Sequence, residues 1–159
     1  MRKYLFLLPL VLCACGHASN TQKLQAEIDS LHKELGNAYK PGFGEFMSGI
    51  QVHHAKLWFA GNAQNWALAD FELKEIREAL DGIKAYDTAR PETKSIGMID
   101  DAMDSMDNAV KSKDLATFKK SYTLLTNTCN DCHHATKHEF NVVKIPDNPP
   151  FTNQEFKGQ

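Results

Sequence analysis

The sequence has little surplus of either charge: 18 Lys plus Arg stand against 20 Asp plus Glu in 159 residues, a formal net charge of −2. It has no block of Lys and Arg and no aromatic motif of the RNA-reading kind. With nothing to neutralise a phosphate backbone, nucleic acid is excluded as a partner. Glycine and proline are few, 9 and 6, and only 24% of residues are charged, which excludes a collagen-like or a disordered chain. No segment alternates apolar and polar residues over the length of a strand, so nothing argues for a sheet. The apolar run from Tyr4 to Leu12 is too short to span a bilayer. Cysteine is scarce as well, with four residues at positions 13, 15, 129 and 132. What remains, at 42% hydrophobic content, is ordinary globular composition at the length of one domain.

Arg2 and Lys3 ahead of the Tyr4 to Leu12 run make the charged start and the roughly ten-residue core of a secretory signal. Leu12-Cys13-Ala14-Cys15-Gly16 follows directly and resembles the bacterial lipobox, with an aliphatic residue three before a cysteine and a small residue just before it. The resemblance implies cleavage after Ala14, a diacylglyceryl thioether on Cys15 and an acylated new N-terminus, an anchor of more than one chain. A plain secretory signal cut nearby is the alternative, since Cys13 confuses the register, and both export the protein. Gly16 in the second mature position, rather than Asp, resembles lipoproteins sorted to an outer membrane. The expected location is therefore the periplasm-facing side of a bacterial envelope, held to the membrane by lipid.

After this signal of residues 1–14, residues 16–22 are small and polar and suit a tether. Leu24, Ile28, Leu31 and Leu35 then step by four, three and four, a short amphipathic helix that Gly36 and Pro41-Gly42 end within segment 15–42. It either lies on the body of the domain or forms a self-associating stalk. Four longer helical stripes fill residues 43–140. Phe43, Met47, Ile50, His54 and Leu57 mark the first, closed by Gly61-Asn62. Trp66, Ala69, Leu73, Ile76, Leu80 and Ile83 mark the second, followed by a turn and Pro91 as a helix start. Ile96, Ile99, Met103, Met106 and Val110 mark the third, and Leu115, Phe118, Tyr122, Leu125, Cys129 and Cys132 the fourth, capped by Ser112 or Asp114. One apolar seam per helix and short loops predict an all-α fold, an antiparallel four-helix bundle running up, down, up, down. The tail, residues 141–159, carries Pro146, Pro149 and Pro150 and cannot be helical throughout. Phe140, Val142, Val143, Ile145 and Phe151 are too apolar for a free end, so the tail is expected to lie across the bundle.

Cys129-Asn130-Asp131-Cys132-His133 reads as a c-type haem attachment site. On a helical turn the two thiols emerge on one side, at a separation matching two vinyl groups, and the adjacent imidazole reaches the iron from one face. Such attachment takes place outside the cytoplasm, where the N-terminal signal sends the chain. Three other readings compete. A thioredoxin-type dithiol wants a βαβ setting; a zinc site would recruit Cys129, Cys132, His133 and His138; a Cys129–Cys132 disulfide would close too small a loop to stabilise much.

With this motif on the last of four helices, residues Phe43 to His138 resemble the cytochrome c′ family, including its six-coordinate c556-type members. The resemblance implies one covalent haem c per chain on Cys129 and Cys132, with His133 as the proximal iron ligand. Where the family has an aromatic residue and then a base shortly after the haem histidine, Thr136-Lys137 keeps only the base. The segment before Phe43 and the Pro-rich tail also fall outside its usual outline, so a sister family of the same architecture fits equally.

Met47, His53 and His54, all on the first bundle helix, are candidates for the far side of the iron. At about 1.5 Å of rise per residue, His133 lies roughly 30 Å from the Gly61/Lys113 end of the bundle, Met47 roughly 21 Å and His54 roughly 10 Å. Met47 is thus favoured over His54, and it sits where the resembled family carries its distal residue. His/Met ligation would raise the potential and a His54 ligand would lower it. Trp58 and Trp66 flank the Gly61 turn and pack that corner, His134 and His138 lean toward solvent, and Asp100, Asp101, Asp104 and Asp107 form an acidic face that is solvated or steers a basic partner. The expected function is single-electron transfer to redox partner proteins, without catalysis; a peroxidase would want a distal acid–base residue, for which His54 stands at the wrong level. The alternative is a five-coordinate haem protein binding nitric oxide or carbon monoxide, and helix pairing in the resembled family suggests a homodimer.

Overall fold

The computed structural model describes residues 15–38 and 40–158, and all of its regular structure is helical, with no strand among the described residues. The signal of residues 1–14 lies outside them, and the lipid expected on Cys15 concerns a side chain that is also outside them. The chain divides into two units after Lys40. The first contains α1 (Cys15–Ala38), which takes in the segment expected as a tether, since residues 17–22 hold no Gly or Pro, and runs on through Gly36, where it was expected to end. Along α1, Gln25 donates to Asp29 one turn on, and Leu24, Ile28, Leu31 and Leu35 stand exposed.

The second unit holds α2 (Phe43–Asn62), α3 (Trp66–Tyr86), a 3-10 segment (Pro91–Ile99), α4 (Asp100–Ser112) and α5 (Leu115–Ala135). α2 packs on α3, α3 on α4, α4 on α5 and α5 on α2, and residues of all four share one buried core. Leu57, Ile76, Ile83, Met103, Met106, Phe118 and Tyr122 are fully buried there. Their burial is the main stabilising contribution, on the order of 1.5–3 kcal/mol for each large aliphatic or aromatic side chain.

Local signals set the helix ends. Asn65 accepts from Leu68 N at 3.2 Å and Asp114 from Thr117 N at 2.7 Å, satisfying N-terminal amides of α3 and α5. Lys113 ends α4 in the left-handed region at φ 55°, so of Ser112 and Asp114 it is Asp114 that caps α5. The third stripe is not one continuous α-helix. Pro91 starts nine residues of 3-10 helix, in which Ile96 and Ile99 lie one tight turn apart, and α-helical geometry begins only at Asp100.

Two glycines permit close helix approach. A Cβ on Gly61 would fall 2.0 Å from the Phe118 ring, and one on Gly82 2.5 Å from Phe46. Phe118 in turn sits between the two tryptophans, with ring centroids 6.3 Å from Trp58 and 5.9 Å from Trp66, which packs the Gly61 corner as expected. Between α2 and α3 lies a buried charge: Glu72 is fully enclosed, its Oε2 2.6 Å from His53 Nδ1 and its Oε1, which makes no hydrogen bond, 3.8 Å from Lys56 Nζ. The acidic residues of α4 are largely paired within the chain, Asp104 with Arg77, Asp100 with Lys84 and Asp107 with Lys111.

The tail after α5 is irregular. Phe140 and Val142 are exposed, while Ile145 packs on the core and Phe156 is buried against Phe59 with ring centroids 5.6 Å apart. Its deepest attachment is therefore Phe156, five residues beyond Phe151, which was expected to bury and is instead exposed.

Candidate functional site

α5 carries the CxxCH residues to one cleft. Cys129 and Cys132, three apart, leave the helix on the same side and both thiols are free. They and His133 line the cleft from α5, together with Met47, Ile50 and His54 of α2, Ile96 and Ile99 of the 3-10 segment, and Asn141, Val142 and Val143 of the tail. Its free volume is about 80 Å³, below the roughly 300–1,000 Å³ of preformed small-molecule and cofactor sites. A second recess shares Met47, Cys132 and His133 and adds Phe43, Arg90 and Glu92. There Arg90 lies over the Phe43 ring at 5.1 Å and donates twice to Glu92, whose carboxyl those hydrogen bonds hold down at about 2.

The state of His133 follows from its surroundings. Its Nδ1 is 2.6 Å from the carbonyl oxygen of Asn141. A carbonyl only accepts, so Nδ1 carries the proton and donates, and in the neutral ring the lone pair is then on Nε2. That is the tautomer a metal-binding imidazole requires, with the second nitrogen held by a backbone carbonyl.

The thiols are unlike a redox pair. Burial, with Cys132 nearby, pushes the Cys129 thiol up to about 12, and burial raises Cys132 too, whose Sγ–H points to Ser95 O at 3.8 Å. A dithiol redox centre depends on a lowered pKa. The zinc set is not assembled either. His138 donates through Nδ1 to Thr136 O at 2.7 Å and turns Nε2 toward Glu92 at 4.0 Å, and among the described residues no three His, Cys, Asp or Glu side chains stand close enough to hold a metal ion.

On α2, Met47 and His54 differ in freedom. Met47 is half-buried against the core and borders both recesses. His54 also borders the cleft but both its nitrogens are occupied: Nε2 is 3.0 Å from Thr126 Oγ1 and Nδ1 2.9 Å from the Tyr122 hydroxyl. The Tyr122 O–H also reaches the His54 carbonyl at 2.8 Å, and the Thr126 hydroxyl donates to Tyr122 O at 2.9 Å. Burial lowers the His54 pKa to about 4, so the ring is neutral, and burial raises that of Tyr122. His53, the remaining candidate on this helix, is committed to Glu72.

Sequence reasoning passed over Asn130, the residue after the first cysteine. Its side-chain amide donates to Val143 O at 2.9 Å and accepts from Val143 N at 2.8 Å. No periodicity announces a contact made with irregular chain.

No protein family, curated protein or solved structure matches this chain.

Proposed function

We propose that the protein is an envelope-anchored monohaem c-type cytochrome that transfers single electrons, built as an antiparallel four-helix bundle of the cytochrome c′/c556 kind. The observation that carries this reading is the pairing of two free thiols with an imidazole whose Nδ1–H is engaged, all bordering one cleft. The packing of successive helices, and the facing of Gly61 with Phe118 and of His54 with Tyr122 and Thr126, support an antiparallel α2–α5 pair.

Cys129 and Cys132 would tether haem through thioethers, His133 Nε2 would be the proximal ligand and Met47 Sδ the distal one. Bound there, haem supplies a one-electron couple. Ile50, Leu80, Ile96 and Ile99 exclude water from the cleft, and a methionine ligand favours the reduced iron and a higher potential. His54, with both nitrogens engaged and its ring neutral, is spoken for as a base, which favours electron carriage over catalysis. Redox partner proteins, a lipid anchor at Cys15 and a homodimer complete the reading.

Met47 is also packed against the core. That favours one alternative, in which packing is its whole role and the open iron face binds nitric oxide or carbon monoxide. Absorption spectra of the full chain matured in an export-competent host, oxidised and reduced, with and without carbon monoxide, separate these. Low-spin bands that ignore the gas, and that become gas-sensitive in Met47→Ala, are expected. A high-spin spectrum that shifts with the gas replaces the electron carrier by the gas binder, and a colourless protein overturns both.

A further inference from the structure

His133 owes its tautomer to a carbonyl that lies outside the helix, at Asn141, eight residues on. What holds that carbonyl in place is therefore part of the site. Apolar burial does not, because the flanking Phe140 is 80% exposed and Val142 71%. Two sets of hydrogen bonds do. On one side Asn141 N donates to His138 O at 2.9 Å, closing the turn that leaves α5. On the other, two residues beyond, Val143 is gripped through both its N–H and its C=O by the single side chain of Asn130. Asn130 thus treats Val143 as a neighbouring strand would, and it projects from between the two motif cysteines.

We infer that Asn130 is a positioning residue for the iron ligand: by clamping Val143 it keeps the Asn141 carbonyl on His133 Nδ1–H, and so sets the donor strength of Nε2. The inference rests on the haem reading. Donation from Nδ1–H to a fixed carbonyl gives the imidazole partial anionic character and raises its basicity. A more basic proximal ligand stabilises the oxidised iron and lowers the potential. Releasing the clamp should move the potential upward while leaving both thioethers and His133 itself in place. The chain then tunes its cofactor with a residue of the attachment motif that touches neither iron nor porphyrin.

The test compares the exported full-length protein with Asn130→Ala, Asn130→Asp and Phe156→Ala. Asp retains the acceptor for Val143 N–H and loses the donor to Val143 O, and Phe156→Ala loosens the buried end of the tail without touching Asn130. Haem content is read by absorbance, the midpoint potential by redox titration, and Val143 N–H protection by hydrogen exchange. The expected result is full haem content throughout, loss of Val143 protection and an upward potential shift in Asn130→Ala, a smaller shift in Asn130→Asp, and no shift in Phe156→Ala. A haem-loaded Asn130→Ala protein at the wild-type potential overturns the inference and leaves the haem reading standing. So does a Phe156→Ala shift as large as that of Asn130→Ala, which would assign the effect to the tail as a whole. Wild-type protein without haem overturns the haem reading itself, and this inference with it.

Discussion

Between neutral pH and pH 4, acid should destabilise this protein through His54. Its imidazole is 4% exposed and neutral in the fold, protonating only near pH 4, whereas in the unfolded chain it takes its proton near 6.5. Above 6.5 neither state binds the proton and the group adds no pH dependence. Between 6.5 and 4 the unfolded state holds a proton that the native state lacks, so stability falls by about 1.4 kcal/mol per pH unit. Below 4 both states are protonated and the loss levels off. Integrated from neutral pH to pH 4, the loss is about 3 kcal/mol, a large share of the roughly 5–15 kcal/mol that holds a domain together. The control is His54→Leu. Its apolar side chain has nothing to protonate, and it strands no donor: the Tyr122 O–H keeps the carbonyl of residue 54 at 2.8 Å and the Thr126 hydroxyl keeps Tyr122 O at 2.9 Å. Urea unfolding of both proteins at pH 7 and pH 4 isolates the contribution, because every other titrating group is common to both. Equal losses in the two proteins would refute the reasoning.

Two further predictions concern packing and capping. Gly61→Ala places a Cβ 2.0 Å from a ring wedged between Trp58 and Trp66, so thermal unfolding should report a loss of about 2 kcal/mol, whereas Gly49→Ala, with open space around it, should gain about 0.5–1 kcal/mol of helix propensity; equal effects would contradict the Phe118 contact. Asp114→Ala removes the acceptor for Thr117 N and should cost about 1 kcal/mol in chemical denaturation, and an unchanged midpoint would show that α5 does not depend on its cap.

The helical seams were legible because burial repeats with the period of the helix: Leu57, Ile76, Ile83, Met106 and Tyr122 all stand where their stripes put them. The start of the third stripe was ambiguous because a step of three, Ile96 to Ile99, suits both α and 3-10 geometry. Glu72 was not legible as a buried residue. A carboxylate beside the Leu73 and Ile76 stripe reads as solvated, and only its partners on α2, His53 and Lys56, make its burial tolerable. The motif at Cys129 to His133 is visible without any structure, since local spacing defines it. Its supports are not: Asn130, Asn141 and the tail anchor Phe156 act through irregular chain, where no period links residues to partners 13, 8 and 97 positions away. The level argument for Met47 separated it from His54 by helical rise, yet both border the cleft; hydrogen bonding rather than height distinguishes them.

The enclosed Glu72 has a consequence for how α2 and α3 find each other. Sliding α3 one turn along α2 would carry the carboxylate about 5.4 Å, away from His53 and Lys56 at once, leaving a charge in apolar surroundings at a cost on the order of 3–5 kcal/mol. Apolar seams alone tolerate such slips, since one leucine rung resembles the next. A single charge with only one matching berth turns the α2–α3 seam into a keyed joint, and every cleft residue on these two helices, from Met47 to Leu80, takes its height from that key.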